Sequence, residues 1–213
     1  MDSTTASTRQ RRKEARPAEL AAAALALFVE KGFAATRLDD VAARAGVSKG
    51  TLYLYFDSKE ALFRAVIEES VLPLIEASEA RVVANLDDPA RLLRALLVEW
   101  WECFGATPLG GTCKLMISEG GNFPEVAAYF NEQVIGRWSA LLRQVIEAGI
   151  ARGVFRPGSP EALRQMVFHP LLMQSVLQHS MVGGMPGRPL PEQYFEIYFD
   201  FILRGLGAAD TQE

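Results

Sequence analysis

The sequence predicts an all-α protein of about nine helices, with a small three-helix head followed by a larger helical body. Three observations carry this. Apolar residues recur three and four apart in one segment after another, and strand-like alternation is not found. Glycine and proline fall where helices would end: Gly32, Gly46, TPLGGT at 107–112, GGN at 120–122 and VGGMPGRPL at 182–190. Apolar residues make up 49% of 213, enough for a sizeable buried core.

Residues 1–15 are rich in Ser, Thr and Arg and lack periodicity, which reads as a flexible basic arm. Its Arg9, Arg11, Arg12 and Lys13 could reach phosphates or a minor groove, or be merely solvated. The first helix is expected to begin near Pro17, since proline is tolerated in a first turn, and to end before Gly32. Phe33 then plugs the head. Thr36 is expected to cap the second helix, with Arg37 at its positive end. Leu38, Val41, Ala42 and Ala45 form one apolar face of that helix. Gly46 suits the left-handed residue that commonly follows a helix end. Val47 points inward, and Ser48 is a good N-cap for a short polar helix from Lys49 to about Tyr55 that buries Leu52 and Phe56. Helix, glycine turn and short helix make a helix-turn-helix, whose second helix enters the major groove.

On that helix Lys49, Thr51 and Tyr53 are the candidates for base edges or adjacent backbone, by way of an ammonium, a hydroxyl or methyl, and a phenol. Gly50 lets the helix approach the duplex closely. Thr36, Arg37, Ser48, Tyr55 and Lys59 are candidates for holding phosphates, which position a protein without reading sequence. Charge agrees. Residues 1–64 hold 11 Lys/Arg against 8 Asp/Glu, whereas the rest hold 11 against 18, a basic head on an acidic body.

From Ala23 to Phe63, and most densely in GVSKGTLYLYFDSKEALF, the chain resembles the TetR/AcrR-type bacterial transcriptional regulators. Leu54 departs from the family's pattern, which has a bulky aromatic there. The resemblance implies a TetR-type DNA-binding domain over 14–74, including the start of a connecting fourth helix, and a ligand-binding and dimerisation domain over 75–213. It implies DNA contacts at Thr36, Gly50, Tyr53, Tyr55 and Lys59. It also implies a cavity for a small inducer between the fourth and eighth helices, read as hydrophobic from the apolar lining, and a cytoplasmic homodimeric repressor released by it from a palindromic operator. Pro73, in the linking helix, is the expected place for the motion that separates the bound and released states.

In the body, Ser58 is the expected cap of the fourth helix, and Leu62, Phe63, Val66, Ile67, Val71 and Leu74 form its buried stripe, with Pro73 kinking or breaking it. Later helices are expected at about Pro89–Phe104, Lys114–Ser118, within 123–153, at Pro160–Met181 and at Pro191–Leu206. Trp100, Trp101, Phe104, Met116, Phe123, Phe130 and Met173 are the candidate ligand-lining residues, with Cys103, Asn131, His169 and Gln174 as polar groups among them. Such a stripe is equally at home in plain core. Adjacent Trp100 and Trp101 cannot face the same way on an α-helix. The last helix is apolar on nearly every side, from Tyr194 to Leu206, so its surplus face is expected to pack with the preceding helix against a second copy.

Other classes find little support. Cys103 and Cys113 lack CxxC spacing and read as buried free thiols of a reducing cytosol. His169 and His179 lie ten apart, not at the spacing of a helical zinc pair, so neither metal nor cofactor is expected. No nucleophile–base set or phosphate loop stands out, so the chain does not read as an enzyme. RQRRK before LAAAALALFV imitates a signal peptide, but Glu14 and Glu19 interrupt it. A helical ligand-binding protein without sequence-specific DNA binding is the alternative reading.

Overall fold

The computed structural model describes the backbone of residues 3–182, 185–186 and 193–207 and the side chains of 16–180 and 193–207. The head comprises α1 (Ser3–Lys31), α2 (Leu38–Arg44) and α3 (Lys49–Tyr53), and α4 (Lys59–Ser70) packs along α1. Helix α1 starts at Ser3 rather than near Pro17. Residues 3–16 contain neither glycine nor proline, and Pro17 sits inside the helix at the cost of one backbone bond. The side chains of the expected basic arm lie outside the described residues. Gly32 and Gly46 end their helices at φ +87° and +66°, where a side chain would be strained. After Gly46, the Val47 N–H returns to the Ala42 carbonyl at 3.0 Å.

Two caps follow the sequence. Ser48 Oγ accepts from the Thr51 N–H and Ser58 Oγ from the Ala61 N–H, each at 3.1 Å. Thr36 does not cap α2. Its hydroxyl donates to the Leu27 and Gly32 carbonyls at 3.2 and 2.7 Å, stitching the end of α1, and Arg37 stands at the N-cap without a side-chain bond.

Val71 separates α4 from α5 (Leu72–Asn85), and Pro73 is the second residue of α5, where its missing N–H would have had no partner anyway. The body continues with α6 (Pro89–Trp100), α7 (Gly111–Glu119), α8 (Pro124–Phe130), α9 (Arg137–Ala151), α10 (Pro160–Gln178) and α11 (Tyr194–Leu206). A π-helical segment, Trp101–Gly105, extends α6, and another, Asn131–Gly136, joins α8 to α9. Each therefore reads as one long helix, as the spacing predicted. Between α10 and α11, Met181–Val182 pairs antiparallel with Met185–Pro186, a short ladder within the Gly/Pro-rich link.

The first π segment begins directly after Trp100. Ala106 N–H bonds the Trp101 carbonyl, five residues back, at 2.8 Å. Where the segment begins, Trp100 and Trp101 both keep α-helical backbone angles and are both buried, with ring centroids 6.5 Å apart, facing different neighbours as adjacent helical residues must. The Gly105 carbonyl at its end is met by Ser175 Oγ at 2.7 Å.

One hydrophobic core runs through head and body. Its spine is aromatic. Phe28, Phe33 and Phe63 are fully buried in the head, and Phe33 meets Phe123 of the body edge-on at 4.7 Å. Each such ring contributes roughly 1.5–3 kcal/mol by burial. On the far side, Met166, Met173 and Leu177 of α10 and Ile197 and Phe201 of α11 are left exposed. The last helix is thus part core, with Tyr198, Phe199, Ile202 and Leu206 on the buried side, and part exposed, with Ile197 and Phe201 in solvent among Glu196, Asp200 and Arg204.

Candidate nucleic-acid interface and body cavity

Leu52 anchors α3 from within the head core, which turns the opposite side of the helix to solvent. That side presents Lys49, bare Gly50, Tyr53 (46% exposed) and Leu54 (82% exposed). A methyl added at Gly50 would meet nothing nearer than Ser48 Oγ at 3.9 Å, so the backbone there is open to a close approach. The Lys49 ammonium bonds Asp39 at 2.9 Å and lies 5.7 Å from the Tyr53 ring. The hydrogen bond from Lys49 to Asp39, helped by the aspartate's charge, holds the lysine above its ordinary pKa. Any other partner of Lys49 must therefore compete with Asp39. Ser48 and Thr51 hydroxyls lie 2.8 Å apart within the helix cap, so both have a structural duty as well. Arg37 is exposed at the start of α2, and Tyr55 is half-buried.

Two of the expected phosphate contacts are committed elsewhere. Thr36 is 1% exposed and bonded inward. Lys59 donates to the Phe33 and Ala34 carbonyls at 2.8 and 3.0 Å, with its ammonium 4.9 Å from the Phe33 ring.

The partner of Lys59 in this arrangement was not read from the sequence. Glu119, at the end of α7, accepts the N–H groups of Phe33 and Ala34 at 3.0 and 2.8 Å. One turn of the head is thus held at its donors by a body carboxylate and at its acceptors by Lys59. Gly32 is favoured by its positive φ, and a Cβ there would lie 2.5 Å from Glu119 Oε1, so the carboxylate would have to shift. Residues 85 and 86 apart in sequence carry no local signal of such a bond.

The candidate ligand residues separate into several places. Trp100 and Phe104 line a slender cavity of about 30 Å³ free space, together with Cys103, Val134 and Trp138. Val71, Leu74, Ile75 and Ser78 close its other side, so it abuts the α4–α5 joint. Trp101 instead packs on Phe195 of α11, centroids 5.9 Å apart. Met116 and Phe130 border a second depression with Asn131 and Leu172, Phe123 sits at the head–body seam, and Met173 lies on the outer stripe of α10. Both π segments contribute to the first cavity, Cys103 and Phe104 from one and Val134 from the other.

Trp138, read as helical core, also lines the cavity. It is 5% exposed, and its indole N–H has no acceptor. Glu99 Oε1 accepts from Arg81 Nη2 at 3.2 Å, while its buried Oε2 lies 3.0 Å from Arg81 Nη1 but outside hydrogen-bonding angles. Cys103 is exposed, correcting the expectation that both thiols are buried. Cys113 is buried, and burial pushes its thiol up to about 12.

The description of bacterial regulatory proteins of the tetR family matches residues 20–66, and that of a tetracyclin repressor-like C-terminal domain matches 81–186. The HTH-type transcriptional repressor NicS of Pseudomonas putida is 29% identical over 134 residues, 63% of this chain and 63% of its own length, just under two thirds. The HTH-type transcriptional regulator EthR of Mycolicibacterium smegmatis is 30% identical over 185 residues, 83% of this chain and 82% of its own. In fold, the chain is similar to the transcriptional regulator FadR of Bacillus subtilis in complex with stearoyl-CoA. The TM-score is 0.69 at 17% identity, over 88% of this chain and 98% of that one.

Proposed function

The chain belongs to the TetR family of bacterial regulatory proteins, and on that premise we propose that it represses transcription as a cytoplasmic homodimer released from its operator by a small effector. The observation that carries the DNA-binding part is the outward set on α3, with Lys49, Gly50, Tyr53 and Leu54 in solvent and Leu52 holding the helix from behind. Lys49 and Tyr53 reach base edges, Leu54 offers an apolar contact of the kind a thymine methyl takes, and Arg37 holds a phosphate.

The open stripe of α10 and α11 is the dimer interface. Phe201 and Ile197 are too large and too exposed to be left to water in a lone copy. A two-fold axis through that face sets two recognition helices about one DNA turn, roughly 34–36 Å, or a multiple apart, which fits a palindromic site.

The cavity beside Val71 is the effector site. A ligand that parts its walls presses on the joint from which α4 runs back to the head, and so biases the spacing of the two recognition helices. Linkage then requires operator DNA to weaken effector binding by the same factor. The Glu119–Lys59 grip on residues 33–34 makes head and body move as one piece at the other contact.

The test is titration of the purified full chain against DNA flanking its own gene and against a random-sequence pool, with excess competitor at near-physiological salt. Tight binding to one palindromic sequence, lost in Tyr53→Ala, supports the proposal. The same weak, steeply salt-dependent affinity for every sequence in the pool overturns it.

A further inference from the structure

The polar groups of the cavity beside Val71 specify the chemistry of what it takes. Trp138 offers one hydrogen-bond donor, and an indole nitrogen can do nothing but donate. Ser78 uses its own proton on the Leu74 carbonyl at 2.9 Å. Glu99 contributes a carboxylate, which can only accept while ionised, and its Oε2 is buried without a well-directed donor. Among the described residues no lysine or arginine lines the cavity, and Arg81 approaches Glu99 from outside it. The remaining walls are rings and aliphatic groups, Trp100 and Phe104 against Val71 and Val134.

A buried donor without an acceptor is costly, and a native structure rarely leaves one in place without a use. We infer that the cavity takes an uncharged or cationic ring compound that accepts a hydrogen bond from Trp138 and donates one to Glu99, and that it rejects carboxylates and acyl-CoA thioesters. The compound's acceptor is a carbonyl, an ether or a ring nitrogen, and its donor an N–H or O–H. An anion brought to the same place meets the Glu99 carboxylate from the cavity side, while Arg81, which pairs that carboxylate, stands on the far side of it and does not line the cavity, so the charge nearest the anion is negative.

The free space, about 30 Å³, holds little more than a water molecule, so a ring enters by moving side chains aside. The two π segments are where the walls yield, since each carries a surplus residue that a shift toward α-helical winding can pass along. The selectivity argued here rests on the reading of this cavity as the effector site, and the test keeps the two apart.

The full chain is titrated by calorimetry with four probes, 2-naphthamide, methyl 2-naphthoate, sodium 2-naphthoate and stearoyl-CoA, and operator release is read in parallel. The expected order places 2-naphthamide first, at least about tenfold tighter than 2-naphthoate. Glu99→Gln removes the charge but not the shape, and should narrow that gap to within about threefold. Trp138→Phe should weaken the amide and the ester alike by about fivefold, since both accept from the indole. The inference is overturned if 2-naphthoate or stearoyl-CoA binds as tightly as the amide. It is equally overturned if neither substitution alters amide binding, or if none of the four binds up to about 1 mM. Amide binding with the expected dependence on Glu99 and Trp138 that leaves the operator complex intact upholds the ligand class and refutes the effector reading instead.

Discussion

Gly32→Ala tests the clasp between head and body, and its cost can be worked from the geometry. At φ +87° an alanine pays about 1–2 kcal/mol for a left-handed backbone. Its Cβ would lie 2.5 Å from Glu119 Oε1, so the carboxylate must withdraw from the Phe33 and Ala34 N–H groups. Bonds to a charged acceptor contribute roughly 1.5–3 kcal/mol each when buried, but Ala34 is exposed, and about 2 kcal/mol for the pair is the discounted figure. Gly32→Ala should therefore cost about 3–4 kcal/mol and Glu119→Ala about 2 kcal/mol. Because the alanine at 32 has already expelled the carboxylate, the double variant should cost no more than Gly32→Ala, leaving a coupling of about 2 kcal/mol. The assay is urea unfolding of all four proteins at one fixed protein concentration, since the stability of a dimer depends on it. Additive costs, within about 0.5 kcal/mol, would show that Glu119 does not hold the turn that Gly32 makes.

Three further outcomes are expected. Phe201→Glu puts a charge in the open stripe of α11, where the present side chain is 75% exposed; it should yield a monomer by light scattering and a steep loss of operator affinity, and an intact dimer would place the interface elsewhere. Asp39→Asn releases Lys49 from its ion pair and should raise affinity for operator several-fold at low salt, whereas unchanged affinity would mean that Lys49 does not reach DNA. A maleimide probe at pH 8 should label exposed Cys103 in the native protein and Cys113 only after unfolding, because burial holds the Cys113 thiol protonated until about pH 12; equal labelling rates would contradict that burial.

What could be read from the chain was local. The apolar spacing of Leu38, Val41 and Ala42, the turn at Gly46 and the serine caps at 48 and 58 each involve partners within four or five residues, and all stand as expected. Where a residue had two local offers, the sequence could not choose. Thr36 could cap the helix ahead of it or stitch the one behind, and it stitches the end of α1, donating to the Leu27 and Gly32 carbonyls. Adjacent Trp100 and Trp101 face different ways, as helical geometry requires, but only packing showed that Trp100 lines the cavity and Trp101 meets Phe195.

The ligand-lining residues were legible as a class and not as a set. Trp100 and Phe104 share a cavity because they lie one helical turn apart, while Met116, Phe123 and Met173 belong to other walls that only helix packing assigns. Sequence alone determined most of the helices, though not the early start of α1 at Ser3 or α5 as a separate helix. It also determined the short helix carrying outward Lys49 and Tyr53 and the apolar surplus of the last helix, since hydrogen bonds and periodicity within a helix are local. Tertiary structure decided the Glu119 clasp, the unpaired Trp138 beside Glu99 and the division of that surplus into core and open face. Those depend on which surfaces meet across dozens of residues, and no spacing along the chain encodes it.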